Sequence, residues 1–270
     1  MSTPRPEPEL GPWRRLADGV QVLTVQPGAR NVGLVVGSER AVLVDAGHDP
    51  AQGRRLAARV REVTDRPLAA VVLTHGHAGH AGGRAGLAGV PAIAHESVAA
   101  GGPAAEDAGA PAGRQPAVGT GTVDRPIAVA TAVDLGGRRV EIVHLGRGHT
   151  GGDLLVVVPD AGVVFAGDLI DATGGPWFGP DSFPHEWPAT LDGLIGLLTA
   201  TGRAVPGHGA EADREFVFEA RGRVAAVSGE ITRLAGLGVP ADQAAARGDW
   251  ALPVERLAGG LAAGYAQLGR

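Results

Sequence analysis

The chain has 270 residues, no cysteine, and 24 basic side chains that are all arginine. That excludes disulfides, thiolate metal ligands, a cysteine nucleophile, a P-loop lysine and a Schiff base. A net charge of −5 without any basic run removes the electrostatic footprint expected for nucleic acid or an anionic membrane. The 44% hydrophobic and 20% charged content specifies a globular chain with a substantial core, and only 4% aromatics leaves Ala, Val and Leu to build it.

The N-terminal stretch has no apolar segment of a secretory signal, and no run approaches 18 apolar residues. The expectation is a cytoplasmic protein with a small-molecule substrate, no nucleic-acid partner and no membrane span. Short Val- and Leu-rich runs at 20–25, 32–36 and 41–45 read as successive strands. Helical spacing of apolar residues marks 54–63 as an amphipathic helix. A buried strand follows at 68–73, a helix start at 82–87 and a short strand at 91–94. Residues 101–125 are crowded with Gly, Pro and Ala and predict a long loop. Strands are expected again at 127–133, 140–144, 154–158 and 163–166, then helices at 189–198, 211–234 and 254–268. Strands followed by helices thus occur twice. The pattern suits an α+β chain, two packed sheets with helices on the outer faces, in one domain over 1–270 with a helical extension from about 210.

The nine histidines are unevenly placed. His75, His77 and His80 fall within six positions, right after a buried strand and interleaved with Gly and Ala. A strand end passing into a glycine-rich turn aims several side chains at one point, and imidazole nitrogens suit zinc and its transition-metal neighbours. His149 in Gly148-His149-Thr150-Gly151, Asp168 in Ala166-Gly167-Asp168, and His208 in Pro206-Gly207-His208-Gly209 have similar settings. Four strand ends finishing in glycine-flanked, metal-capable residues suggest one site at the rim of a sheet. His48, His95, His144 and His185 read as structural.

The order H-x-H-x-x-H, G-H-T, G-D and P-G-H-G, from about Val20 to His208, resembles the metallo-β-lactamase-fold hydrolases. The resemblance implies an αββα sandwich of two mixed sheets with the metal site at one edge. It implies His75, His77 and His149 at a first metal, His80 and His208 at a second, and Asp168 bridging them and acting in catalysis. Where the family has Asp in H-x-H-x-D-H, this chain has Gly79, which cannot bind a metal or orient water. One firmly bound zinc and a weak or absent second follow, unless an acid such as Asp171, Asp181 or Glu186 substitutes.

Without Cys, Lys or a G-x-S-x-G elbow, attack by a zinc-bound hydroxide on an ester, thioester, lactone or amide is the expected chemistry, with a β-lactam among the amides. Trp177 and Phe178, in a Pro-rich loop after Asp168, either wall the substrate pocket or cover the core. The rival readings are a mononuclear iron oxygenase of the same fold and a catalytically degenerate metal-binding relative.

Overall fold

A computed structural model describes residues 9–26, 28–99, 122–257 and 259–269. Most of the expected 101–125 loop, residues 101–121, lies outside them. Seven strands come first: β1 Arg14–Ala17, β2 Val20–Val25, β3 Arg30–Val36, β4 Ala41–Val44, β5 Leu68–Val72, β6 Ala92–His95 and β7 Arg125–Ile127. Helix α1, Pro50–Arg61, joins β4 to β5, and the single turns α2, Ala78–Ala81, and α3, Glu96–Ala99, flank β6. The second set is β8 Ala130–Asp134, β9 Arg139–Val143, β10 Leu155–Val158, β11 Val163–Asp171 and β12 Arg203–His208. Helices α4 Trp187–Leu197, α5 Arg214–Gly236, α6 Ala241–Arg247 and α7 Gly260–Gln267 complete the chain.

The strands hydrogen-bond in the order β7-β6-β5-β4-β3-β12-β11-β10-β9-β8, with β2 also on β3 and β1 beyond it. The link between the two halves is a single residue pair, His208 opposite Arg30. The halves face each other as the two sheets of a sandwich. Alternation along each strand shows this. Val22, Val35, Val42, Val44 and Val72 of one half pack with Val156, Val158, Val163, Phe165 and Val205 of the other. Their neighbours Leu23, Leu34, Leu43 and Val71 turn outward onto Leu56 and Val60 of α1. Leu155, Val164 and Ala204 turn outward onto α4 and α5. The central strands, such as β3, β4 and β10, are buried on both faces, which is why they read as unbroken apolar runs, whereas β8 and β9 mix buried with exposed positions.

Several boundaries differ from the sequence reading. Helix α1 starts at Pro50, not 54, because Asp49 caps it by accepting from Gln52 N at 2.8 Å and Pro50 fits the first turn. The strand expected at 127–133 is two, β7 and β8. The 254–268 helix is a 3₁₀ turn, Val254–Arg256, followed by α7. The strand expected to end at 166 continues to Asp171, so Asp168 lies inside β11. The register slips on either side of Gly167, whose φ is +53°. β4 and β5 run parallel, as do β11 and β12, so four C-terminal strand ends open on one rim.

Candidate metal centre

Each polar side chain reaches that rim for a local reason. After β5 the chain turns through Thr74-His75-Gly76-His77, and His77 begins the short turn of α2, which carries His80. His149 sits between β9 and β10 in a turn held by Asp153, whose carboxylate accepts from Thr150 N and Oγ1. Gly167 brings β11 close to Thr74, since a Cβ there would lie 2.8 Å from Thr74 Oγ1. His208 ends β12.

Ligand atoms of His75, His77, His149 and Asp168 lie within 4.8 Å of one another, as do those of His80, Asp168 and His208. Asp168 belongs to both groups. Its Oδ2 is 3.8 Å from His75 Nε2 and 3.5 Å from both His149 Nε2 and His208 Nε2, and its Oδ1 is 3.3 Å from His80 Nε2. All five rings use their other nitrogen to bond outward. His75 Nδ1 meets Thr74 Oγ1 at 3.1 Å, His80 Nδ1 meets Asp45 Oδ2 at 2.8 Å, and His208 Nδ1 meets the Gly28 carbonyl at 2.5 Å. His149 Nδ1 meets the Trp177 carbonyl at 3.1 Å, and His77, turned the other way, meets Asp181 Oδ2 through Nε2 at 3.0 Å. Carbonyls and carboxylates only accept, and Thr74 Oγ1 spends its own proton on Asp45. The outer nitrogens therefore donate, and the inner ones face Asp168 and one another.

This arrangement fits a cation. Buried His75 Nε2, His80 Nε2 and Asp168 Oδ1 have no hydrogen-bond partner. His77 Nδ1 and His149 Nε2 stand 3.0 Å apart. With both outer nitrogens donating, that separation needs a proton or a cation between or beside the two rings. The electrostatics agree. Burial, then the positive potential of His80, holds His75 well below the ordinary imidazole range. Burial and His77 push His149 down to about 4. Burial opposes charge on His80 too, but Asp168 and Asp45 outweigh it and hold His80 well above 6.5. His208 is likewise raised against burial by Asp168. Burial disfavours ionised Asp168, yet His80 and His208 hold it well below its usual range. His75 and His149 are thus neutral imidazoles ready to coordinate, and His80 and His208 adjoin a carboxylate that draws positive charge.

None of the acids beside the site takes the place expected of a residue at Gly79. Asp171 is paired with Arg256 at 2.7 Å, Glu186 is ion-paired with Arg147, and Asp181 binds the outer nitrogen of His77. Phe178 is 1% exposed and packs on Trp187 with ring centroids 4.8 Å apart, so its ring belongs to the core and not to a pocket wall. Trp177 is half-buried beneath the Arg256 guanidinium and meets the site through its carbonyl. Among the remaining histidines, His95 and His144 stack at 4.2 Å. His185 bridges Ser228 Oγ and the Gly264 carbonyl. The sequence reading missed Asp45, a buried carboxylate that accepts from Thr74 N, Thr74 Oγ1 and His80. Its φ of +66° is unusual for a residue other than glycine, and Val44-Asp45-Ala46-Gly47 at a strand end was its only sequence signal. Asp153 was missed likewise. Burial pushes its carboxyl up to about 7 against the bonds from Thr150.

Known proteins share this architecture. A sequence model of the Metallo-beta-lactamase superfamily matches residues 25–220. The type 2 metallo-beta-lactamase of Bacillus cereus is 25% identical over 189 residues, covering 69% of this chain and 70% of that protein. The type 2 enzyme of Bacillus sp. (strain 170) is 26% identical over 189 residues, with 69% of each covered. A metallo-beta-lactamase from Pontibacter korlensis superposes with a TM-score of 0.68 at 23% identity, over 80% of this chain and 99% of that one. FIM-1 from Pseudomonas aeruginosa, in its mono-zinc form, gives 0.65 at 20% identity over 82% and 97%. With this sandwich, a His/Asp cluster at its rim and a family match over most of its length, the chain belongs to the metallo-beta-lactamase superfamily and is a metal-dependent hydrolase.

Proposed function

We propose that the chain holds one zinc ion firmly through His75, His77 and His149, and hydrolyses an ester, thioester, lactone or amide. One observation carries this reading: ligand atoms of His75, His77, His149 and Asp168 lie within 4.8 Å of one another, while each of the three rings is held from behind by a bond at its other nitrogen. Three imidazoles with an open position are the usual format of catalytic zinc, which lowers the pKa of its water to about 7 and polarises a carbonyl oxygen. His75 and His149, kept neutral by burial, present their lone pairs without first losing a proton. Asp168, kept ionised by His80 and His208, would hold or deprotonate the attacking water. Beneath it, Asp45 and Thr74 keep the rings of His75 and His80 from rotating. His80, His208 and the shared Asp168 form a second, weaker group, because Gly79 adds no carboxylate to it.

Metal analysis of protein purified without added zinc tests this, together with hydrolysis of esters, thioesters, lactones and β-lactams before and after chelation. One zinc per chain and chelator-sensitive turnover are expected. Folded protein that retains no metal, or hydrolysis indifferent to chelation, refutes the reading. Bound iron with oxygen uptake selects an oxygenase instead.

A further inference from the structure

Two of the five outward bonds end on one loop, residues 173–186. The Trp177 carbonyl accepts a hydrogen bond from His149 Nδ1, and Asp181 accepts one from His77 Nε2. Both rings belong to the first ligand group. The loop is fastened by residues 228–267, beyond the stretch matched by the family, which ends at 220.

Arg256 grips its first half. Nη1 donates to Asp171 Oδ2 at 2.7 Å and to the Gly175 carbonyl, while the guanidinium lies over the Trp177 ring, 5.0 Å from its centroid. The Arg256 carbonyl accepts from Phe178 N at 2.8 Å. Residues 171, 175, 177 and 178 thus all rest on one arginine, and the carbonyl that orients His149 lies among them. The second half is held by α7. Gln267 Nε2 donates to the Ser182 carbonyl at 3.0 Å, next to Asp181. A Cβ on Gly260 would lie 2.4 Å from Phe178 Cβ and 2.9 Å from Ser182 Oγ, so only glycine lets α7 approach the loop this closely.

We infer that the C-terminal segment is part of the metal centre's support: Arg256 and Gln267 are positioning residues that fix the imidazoles of His149 and His77 through the 173–186 loop. The inference rests on reading these two histidines as ligands. Outer-shell partners of metal-bound histidine are worth about 10–100-fold in metal affinity. A hydrolase of this build therefore needs its C-terminal helices for metal retention as well as for folding.

The test compares full-length wild type with Asp171→Asn/Arg256→Met, Gln267→Ala and a control, Arg247→Met. The double variant removes both members of a buried ion pair, avoiding a stranded carboxylate. Imidazole ¹H–¹⁵N spectra of the metal-free proteins report the tautomer of each ring, and Co²⁺ titration against a chromophoric chelator reports affinity. In the double variant, His149 and then His77 should lose their fixed tautomers while His75, His80 and His208 keep theirs. Co²⁺ affinity should fall about tenfold or more, with an altered visible spectrum. Gln267→Ala should disturb His77 and spare His149. Wild-type tautomers at both rings in the double variant overturn the proposal. If that variant does not fold, an undisturbed His77 in Gln267→Ala overturns it. A wild type whose Co²⁺ uptake is indifferent to His75→Ala refutes the metal centre itself, and the imidazole spectra still decide the clamp.

Discussion

Replacing Gly207 by alanine attacks the site at its shared carboxylate. A Cβ at Gly207 would stand 1.7 Å from Asp168 Oδ1 and 2.9 Å from both Asp168 Cγ and the Gly167 carbonyl carbon. Ordinary contact is about 3.5 Å, so the carboxylate must retreat by roughly 1.8 Å. It has little room, because β11 and β12 are paired on both sides of the clash, Phe165 with Val205 and Asp171 with His208. Asp168 lies 3.3–3.8 Å from four imidazole nitrogens, and a shift of this size takes it out of reach of both ligand groups at once. Misplacement by 1 Å typically costs about 100-fold in activity, so Gly207→Ala should lose at least that factor. Overpacking should cost about 1–3 kcal/mol of stability. Chelator competition measures the metal affinity, expected to fall in parallel, and thermal denaturation confirms the fold. Gly222→Ala in α5 is the control, since nothing lies within 4 Å of its Cβ position. It should stabilise by about 1 kcal/mol and leave metal binding unchanged. A folded Gly207→Ala protein with metal affinity within threefold of wild type would refute the assignment of Asp168 as the shared ligand.

Other perturbations separate the remaining parts. Asp45→Asn tolerates the positive φ but presents an amide where Asp45 accepts three hydrogen bonds, so metal affinity of the His80 group should fall about 10–100-fold; equal affinity in isothermal titration would remove Asp45 from the site. Gly79→Asp should raise the metal content of zinc-saturated protein toward two ions per chain, and an unchanged content would show that the missing carboxylate does not limit the second group. Glu230 is held at about 2, below its usual 4.5, chiefly by hydrogen bonds from Arg233. A depressed carboxylate stabilises above its unfolded pKa and loses that contribution as pH falls through the folded one. Glu230→Gln should therefore cost at most about 1 kcal/mol near neutrality, with the difference in Tm from wild type closing between pH 4.5 and 2; a difference independent of pH would contradict this.

The sequence by itself determined the sandwich and the chemical identity of its rim. Val- and Leu-rich runs interrupted by glycine read as buried strands, and His75, His77, His80, His149, Asp168 and His208 lie at or near strand ends that the fold brings to one edge. Local signals also erred where a residue acts against its neighbourhood. The slip at Gly167 let β11 run on through Asp168, and Asp49 with Pro50 opened α1 a turn early. Only the tertiary structure decided which nitrogen each imidazole turns inward. That choice belongs to the acceptor behind the ring, and for every ring but His75, which uses its neighbour Thr74, the acceptor is remote: Trp177 is 28 positions from His149, Asp45 is 35 from His80, Asp181 is 104 from His77, and Gly28 is 180 from His208. Periodicity and motif spacing describe what a residue does with its chain neighbours. The outer partners that hold the site, and the Arg256 contacts behind two of them, form across loops closed by packing, which no local pattern encodes.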